Sequence, residues 1–231
     1  DVAAKRICWG KFLNAGQTCI APDYLLIDSE IKAEFQNKLI STLNEFYKDG
    51  TYKDYARLIH NSHFERLTSL LKDQNIIYGG ETKAETNFLS PTLVEAPKLD
   101  SPLMEEEIFG PILPLYSYSS FEELEDTITA FDKPLSLYAF SKNEKFTQKV
   151  NRHFDFGGGV INDTIVHFVN DKLPFGGVGA SGVGNYHGRA SFDTFTRQKS
   201  LVHRKTWLDI PLKYPPYTRV GSFKSFLNLF R

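Results

Sequence analysis

Short apolar runs alternate with longer stretches of helical periodicity over the first 160 or so residues, and this alternation restricts the chain to few folds. Residues 24–27 have the length and apolarity of a buried strand. They lead into residues 29–48, where Ile31, Phe35, Leu39, Leu43 and Phe46 recur at helical spacing. Ser62 with Glu65, and Ser120 with Glu123, have the spacing of capping boxes, in which the serine oxygen accepts from the third helical amide and the glutamate reaches back. They predict a helix running to about residue 73 and another over 121–131, the second stopped by Lys133 and Pro134. Residues 2–13 read as a helix, and the runs 76–78, 113–116, 136–140 and 159–162 read as strands. The pattern predicts an α/β fold, a mostly parallel sheet with flanking helices. Beyond residue 174 glycine is frequent, and residues 191–205 read as an extended outlying strand. Past Pro211, Pro215 and Pro216, the spacing of Val220, Phe223, Leu227 and Phe230 predicts a short amphipathic helix. The expected organisation is a main domain over 1–190, a strand over 191–206 and a tail over 207–231.

Composition narrows the function. At 231 residues and 41% hydrophobic content the chain can build a core without staples. Twenty-seven basic against 28 acidic side chains leave a formal charge of -1, which offers no general attraction for a phosphate backbone, so nucleic acid is not an expected partner. Cys8 and Cys19 are too few for a disulfide framework and suit a reducing, cytoplasmic setting. No window has the apolar length that spans a bilayer. The chain opens on Asp1 within a helix-prone stretch, which reads as the interior of a longer protein.

Two segments carry chemistry. In Asn14-Ala15-Gly16-Gln17-Thr18-Cys19 a glycine-containing loop delivers a thiol; held among oriented amides it is a nucleophile, and held in an apolar region it is small core filling. In Glu107-Ile108-Phe109-Gly110-Pro111 a carboxylate that can accept from a sugar diol precedes a phenyl ring that can lie against a flat heterocycle; the plainer reading is a solvated acidic run entering a turn. Gly177, Gly179 and Gly182 spell G-x-G-x-x-G, but the strand before and helix after that a dinucleotide fingerprint needs are missing from the pattern. His60 and His63 have no third partner nearby, so no metal is expected.

The stretches WGKFLNAGQTCIAPDY, EEEIFGPILP, PFGGVGASGVGNYHG and SFDTFT, in this order, closely resemble signature segments of aldehyde dehydrogenases of the class 3 or fatty aldehyde type. The resemblance implies that the chain is a carboxyl-terminal, thiol-bearing part of such an enzyme. Cys19 is then the nucleophile, Glu107 holds the nicotinamide ribose and Phe109 places the ring of NAD or NADP. The segment NDTIVHF resembles one lining the substrate entrance, so Asn162, Thr164 and His167, together with Asn14, are expected to face a fatty or aromatic aldehyde; the alternative is that they finish a strand and cap a turn. The resemblance also implies a homodimer formed through strand 191–206, and membrane contact only through a tail beyond these residues, with endoplasmic-reticulum association of the parent. It further implies that the general-base glutamate, the oxyanion asparagine and the nucleotide-binding domain lie upstream, so that this polypeptide is an incomplete enzyme. The rival expectation is a non-catalytic interaction module with an unused thiol.

Overall fold

A computed structural model describes residues 1–48, 50–209 and 214–215, in two units, Asp1–Phe195 and Thr196–Arg231. In the first unit, helix α1 (Val2–Phe12) buries Ala4, Ile7, Cys8 and Phe12, which fall three or four residues apart on one face. That face packs on Leu39 and Leu43 of α2 (Lys32–Phe46) beneath strand β1 (Leu25–Asp28). Each fully buried leucine here contributes about 2 kcal/mol of apolar transfer free energy. The chain continues through α3 (Asn61–Leu70), β2 (Ile76–Tyr78), the short antiparallel pair β3 (Thr82–Lys83) and β4 (Phe88–Leu89), β5 (Thr92–Glu95), the one-turn α4 (Pro102–Glu105) and β6 (Ile112–Tyr118). It then forms α5 (Phe121–Thr129), β7 (Ser136–Ala139), α6 (Glu144–His153), β8 (Gly158–Ile161) and α7 (Gly188–Phe195).

The main sheet has the order β1-β6-β5-β2; β1, β6 and β5 run parallel and β2 pairs antiparallel to β5. β7 and β8 form a separate parallel pair. Strands β5 and β6 are buried on both faces, and their alternation divides the core in two. Leu93, Leu113 and Leu115 point to α1 and α2, whereas Val94 and Ile112 join Leu67 of α3, Leu103 and Ile108. A third cluster, Leu124, Ala139, Val150 and Phe154, seats α5 and α6.

The expected α/β alternation is present, with several corrections. The cap of α3 is His60, whose ring nitrogen accepts from the His63 amide at 3.1 Å, while Ser62 bonds that same ring nitrogen. At α5 Ser120 accepts from the Glu123 amide at 3.1 Å as expected, but the glutamate reaches Ser119 N, one residue further out. Residues 191–195, expected to begin an extended strand, are the last turns of α7. Ser191 Oγ accepts from His187 N, and Arg189 pairs with Asp193 one turn on, so local bonds satisfy a segment that as a strand would need a partner ladder. The division expected after residue 190 accordingly lies inside a helix, and the units part after Phe195. Residues 196–205 carry no strand. The amphipathic helix expected over 220–230 lies outside the described residues. Among the described residues no helix is long and apolar enough to cross a membrane.

Candidate active site

Parallel pairing decides which loops meet. β1 and β6 are neighbours in the register Leu25↔Leu115, so the loops entering them arrive at the same end of the sheet. Cys19 lies six residues before Leu25, and Phe109 six before Leu115. The two segments singled out by their chemistry are thus brought side by side by the fold itself.

The first loop leaves α1 through three consecutive left-handed residues, Asn14 (φ 52), Ala15 (φ 53) and Gly16 (φ 72). Asn14 and Gln17 exchange side-chain-to-carbonyl bonds of 3.0 Å. Gln17 also donates to Arg57 O and accepts from Ile59 N at 2.9 Å, which ties the loop to the segment before α3. Gly16 lies directly against the Gly110-Pro111 peptide, where a Cβ would overlap the Gly110 carbonyl oxygen. The chain then turns at Thr18, whose carbonyl accepts from Ala21 N at 2.9 Å, with Cys19 exposed and unpaired on the turn. Behind it Ile20 is buried with Ile165 and Phe175, and its carbonyl accepts from the Tyr138 hydroxyl at 2.8 Å. Burial pushes the Tyr138 hydroxyl up to about 12, so it remains a donor at neutral pH.

The second loop is held by three side chains, one from the segment before β1 and two from α3. The Asp23 carboxylate accepts from Ile108 N at 3.2 Å; Arg66 of α3 donates to Ile108 O at 2.5 Å and to Glu107 O at 3.4 Å; and His63 Nε2 donates to Phe109 O at 2.8 Å. Phe109 adopts φ 48 and remains 37% exposed, so the loop presents its ring outward while Ile108 anchors the core below. Glu107 is exposed beside it. Partial desolvation and the neighbouring Asp23 raise its carboxyl above the usual range, opposed by Lys11 and Arg66.

Lys11 is 0% exposed and its ammonium lies 3.8 Å from Asp23. Burial lowers it to about 8 against the pull of Asp23 and Glu107. Asp23 is raised by desolvation, with Lys11, the Ile108 amide and Arg66 drawing it back. Lys11, Asp23, Arg66 and Tyr138 escaped the sequence reading, and His63 was weighed there only as a metal ligand. A signal existed for Lys11, which stands four residues after Ile7 and three after Cys8, on the apolar face of its helix.

The remaining expected site residues divide. Asn14 is exposed at the start of the thiol loop. Asn162, at φ 61, clasps Ser141 through both ends of its amide, at 2.8 and 2.9 Å, and so closes a turn. Thr164 is fully buried, donates to Arg6 O at 2.9 Å and fills the space over Gly10, which makes it a packing residue of the α1 contact and not a lining one. His167 is half-buried, with Nε2 at 3.2 Å from Ser136 Oγ and its ring 5.9 Å from that of Tyr138. Burial lowers its basicity. Of the G-x-G-x-x-G glycines, Gly177 and Gly182 pack backbone on backbone, Gly179 (φ 65) meets only the Lys133 side chain, and no strand leads into them.

At one end of this α/β sheet the loop of an exposed thiol thus meets the loop that carries a carboxylate and an outward phenyl ring, and the chain belongs to the aldehyde dehydrogenase family, whose model matches residues 1–201. It is 48% identical over its whole length to 4,4'-diaponeurosporen-aldehyde dehydrogenase of Staphylococcus aureus, covering 50% of that protein. It is 45% identical to the bovine "aldehyde dehydrogenase, dimeric NADP-preferring", with 93% of this chain and 92% of that sequence covered, and 46% identical to mouse aldehyde dehydrogenase family 3 member A2, covering 48% of it. A solved structure described as the substrate-bound state of S. aureus AldH superposes with a TM-score of 0.90 at 48% identity, covering all of this chain and 51% of that one. The chain thus spans about half the length of most of these relatives.

Proposed function

We propose that the complete protein oxidises aldehydes, aliphatic or aromatic, to carboxylic acids with NAD or NADP, and that Cys19 is its nucleophile. The observation that carries this reading is the contact of Gly16 with the Gly110-Pro111 peptide, which joins the thiol loop to the loop of Glu107 and Phe109. The names of the relatives, which include NADP-preferring enzymes, support the same cofactor class.

The residues fit a nicotinamide nucleotide. Glu107 offers an exposed carboxylate that can accept two ribose hydroxyls, and Phe109 an outward ring that can limit where a nicotinamide lies. The nucleotide, when bound, supplies the hydride acceptor. Cys19 as thiolate adds to the aldehyde carbon, giving a tetrahedral thiohemiacetal whose oxyanion the Cys19 backbone amide is proposed to receive. Tyr138 fixes the far side of the same turn through Ile20. Loss of hydride leaves a thioester on Cys19, and a water deprotonated by a carboxylate base releases the acid; the resemblance assigns that base to a segment outside this chain. Asn14 and His167 are proposed to line the approach of the aldehyde. Exposed Leu201 and Val202 support a homodimer in which residues 191–206 meet a second copy, and two unpaired cysteines support a cytoplasmic setting.

The deciding experiment is Cys19→Ala in the complete protein. Aldehyde-dependent reduction of NAD(P) is expected to vanish while nucleotide binding persists; ordinary turnover by the variant refutes the assignment.

A further inference from the structure

The mechanism above leaves unused the most heavily buried charge in the described residues. Lys11 carries its ammonium inside α1, 3.8 Å from Asp23, although a charged amine is expensive to desolvate and lysine is seldom fully buried unless paired. Its surroundings are specific. Asp23 belongs to the nucleophile loop, four residues after Cys19, and the same carboxylate accepts from Ile108 N at 3.2 and 3.4 Å. Ile108 is wholly buried between Glu107 and Phe109, so this bond sets where the backbone hands those two side chains to solvent. Arg66 and His63 hold only carbonyls of the same loop. Asp23 is the group that grips an amide there, and the Lys11 ammonium is its ion-pair partner.

We propose that the buried Lys11 and the part-exposed Asp23 are a positioning pair that holds the Ile108 amide and thereby aims the Glu107 carboxylate, coupling the helix and loop of the nucleophile to the nucleotide-facing loop. This rests on the reading of Glu107 as a nucleotide contact. Three elements contribute charge to the cluster: Lys11 from α1, Asp23 from the thiol loop, and Arg66 from α3 against Glu107. The two acids and two bases nearly balance. Removal of Lys11 leaves the Asp23 and Glu107 carboxylates, whose charges already oppose one another, with Arg66 as the remaining cation that acts on both. The carboxylate of Glu107 then swings outward or takes up a proton, and either change weakens an acceptor for a sugar diol.

The test is a double-mutant cycle in the complete protein. Lys11→Met keeps the length of the side chain and deletes the charge; Asp23→Asn keeps the shape and cuts the same pair from its other side. Both are expected to raise KM for the nucleotide on the order of tenfold, the size of a coupling between contacting charged groups, with a smaller change in kcat. Of the two thiols Cys8 and Cys19, iodoacetamide is expected to modify only the exposed Cys19, as in the parent, whereas a general loss of structure would open the buried Cys8 as well. Glu107→Gln alone is expected to raise the same KM, and Lys11→Met added to it to cost nothing more. An unchanged KM in both Lys11→Met and Asp23→Asn, or a double variant whose losses simply multiply, overturns the positioning role. An unchanged KM in Glu107→Gln overturns instead the reading of Glu107 on which it rests. Should Lys11→Met not fold, Asp23→Asn decides alone.

Discussion

Replacing Gly16 by alanine probes the join between the two loops, and Gly50 supplies a matched control. Both glycines have left-handed φ, +72 and +62, but a Cβ at Gly50 meets nothing within 4 Å, whereas at Gly16 it falls 2.5 Å from the Gly110 carbonyl carbon. The left-handed conformation costs a non-glycine residue about 1–2 kcal/mol, so Gly50→Ala is expected to lose that much and nothing else. At Gly16 the obstacle is backbone on both sides, which no rotamer change relieves. Carbon atoms pack at about 3.5 Å or more, so the loops must part by about 1 Å, adding the 1–3 kcal/mol typical of overpacking, roughly 2–5 kcal/mol in all. A functional loss accompanies the stability loss, because a misplacement of about 1 Å in a site lowers a rate by about 10²-fold, which Gly50→Ala does not cause. Urea unfolding and steady-state turnover of the complete protein carrying each variant measure both quantities. Equal destabilisation by the two substitutions, or full turnover with Gly16→Ala, refutes the claim that this contact sets the site.

Lys11 also predicts a pH dependence of stability. Its folded value of about 8 lies below the ordinary 10.5, so the unfolded chain holds the proton more tightly and stability attributable to this group rises as pH climbs from about 8 to 10.5. The gain is about 3 kcal/mol, read as the difference in unfolding free energy between parent and Lys11→Met at pH 7 and at pH 10.5; a difference that does not change with pH contradicts it. Tyr138→Phe removes the donor to Ile20 O and is expected to cost about 1–3 kcal/mol and to slow both turnover and Cys19 alkylation. Unaltered alkylation and turnover would separate Tyr138 from the nucleophile turn.

How much of this was legible in the sequence depends on where the apolar atoms lie. Residues 24–27, 76–78 and 113–116 announced themselves because strands packed on the core leave runs of aliphatic side chains. Helix α6 did not, since Thr147 and Val150 are its buried residues among lysine, glutamine, asparagine and arginine. β5 was hidden by its four-residue length and the adjoining Pro91. At the ends of helices the choice of acceptor is made by geometry that residue types do not encode, and so His60 took the role expected of Ser62. Within the site, Cys19, Glu107 and Phe109 were visible only through a resemblance, because one thiol and one acidic run have plainer uses in most proteins. Asp23 and Arg66 could not be found at all: each acts through an amide or carbonyl distant in sequence, and only the closed fold brings it there. Thr164 shows the converse, a hydroxyl placed by motif at an entrance and by packing under α1.

The shared register of β1 and β6 carries a consequence for how such a protein can vary. Each strand advances about 3.3 Å per residue, and the thiol and the phenyl ring are both counted back six positions from paired leucines. The sheet therefore serves as a ruler laid along two loops at once. Insertions that connections elsewhere on the surface absorb freely would, between Cys19 and Leu25 or between Phe109 and Leu115, slide the thiol past the ring, so the lengths of these two stretches are tied together even though 90 residues of sequence separate them.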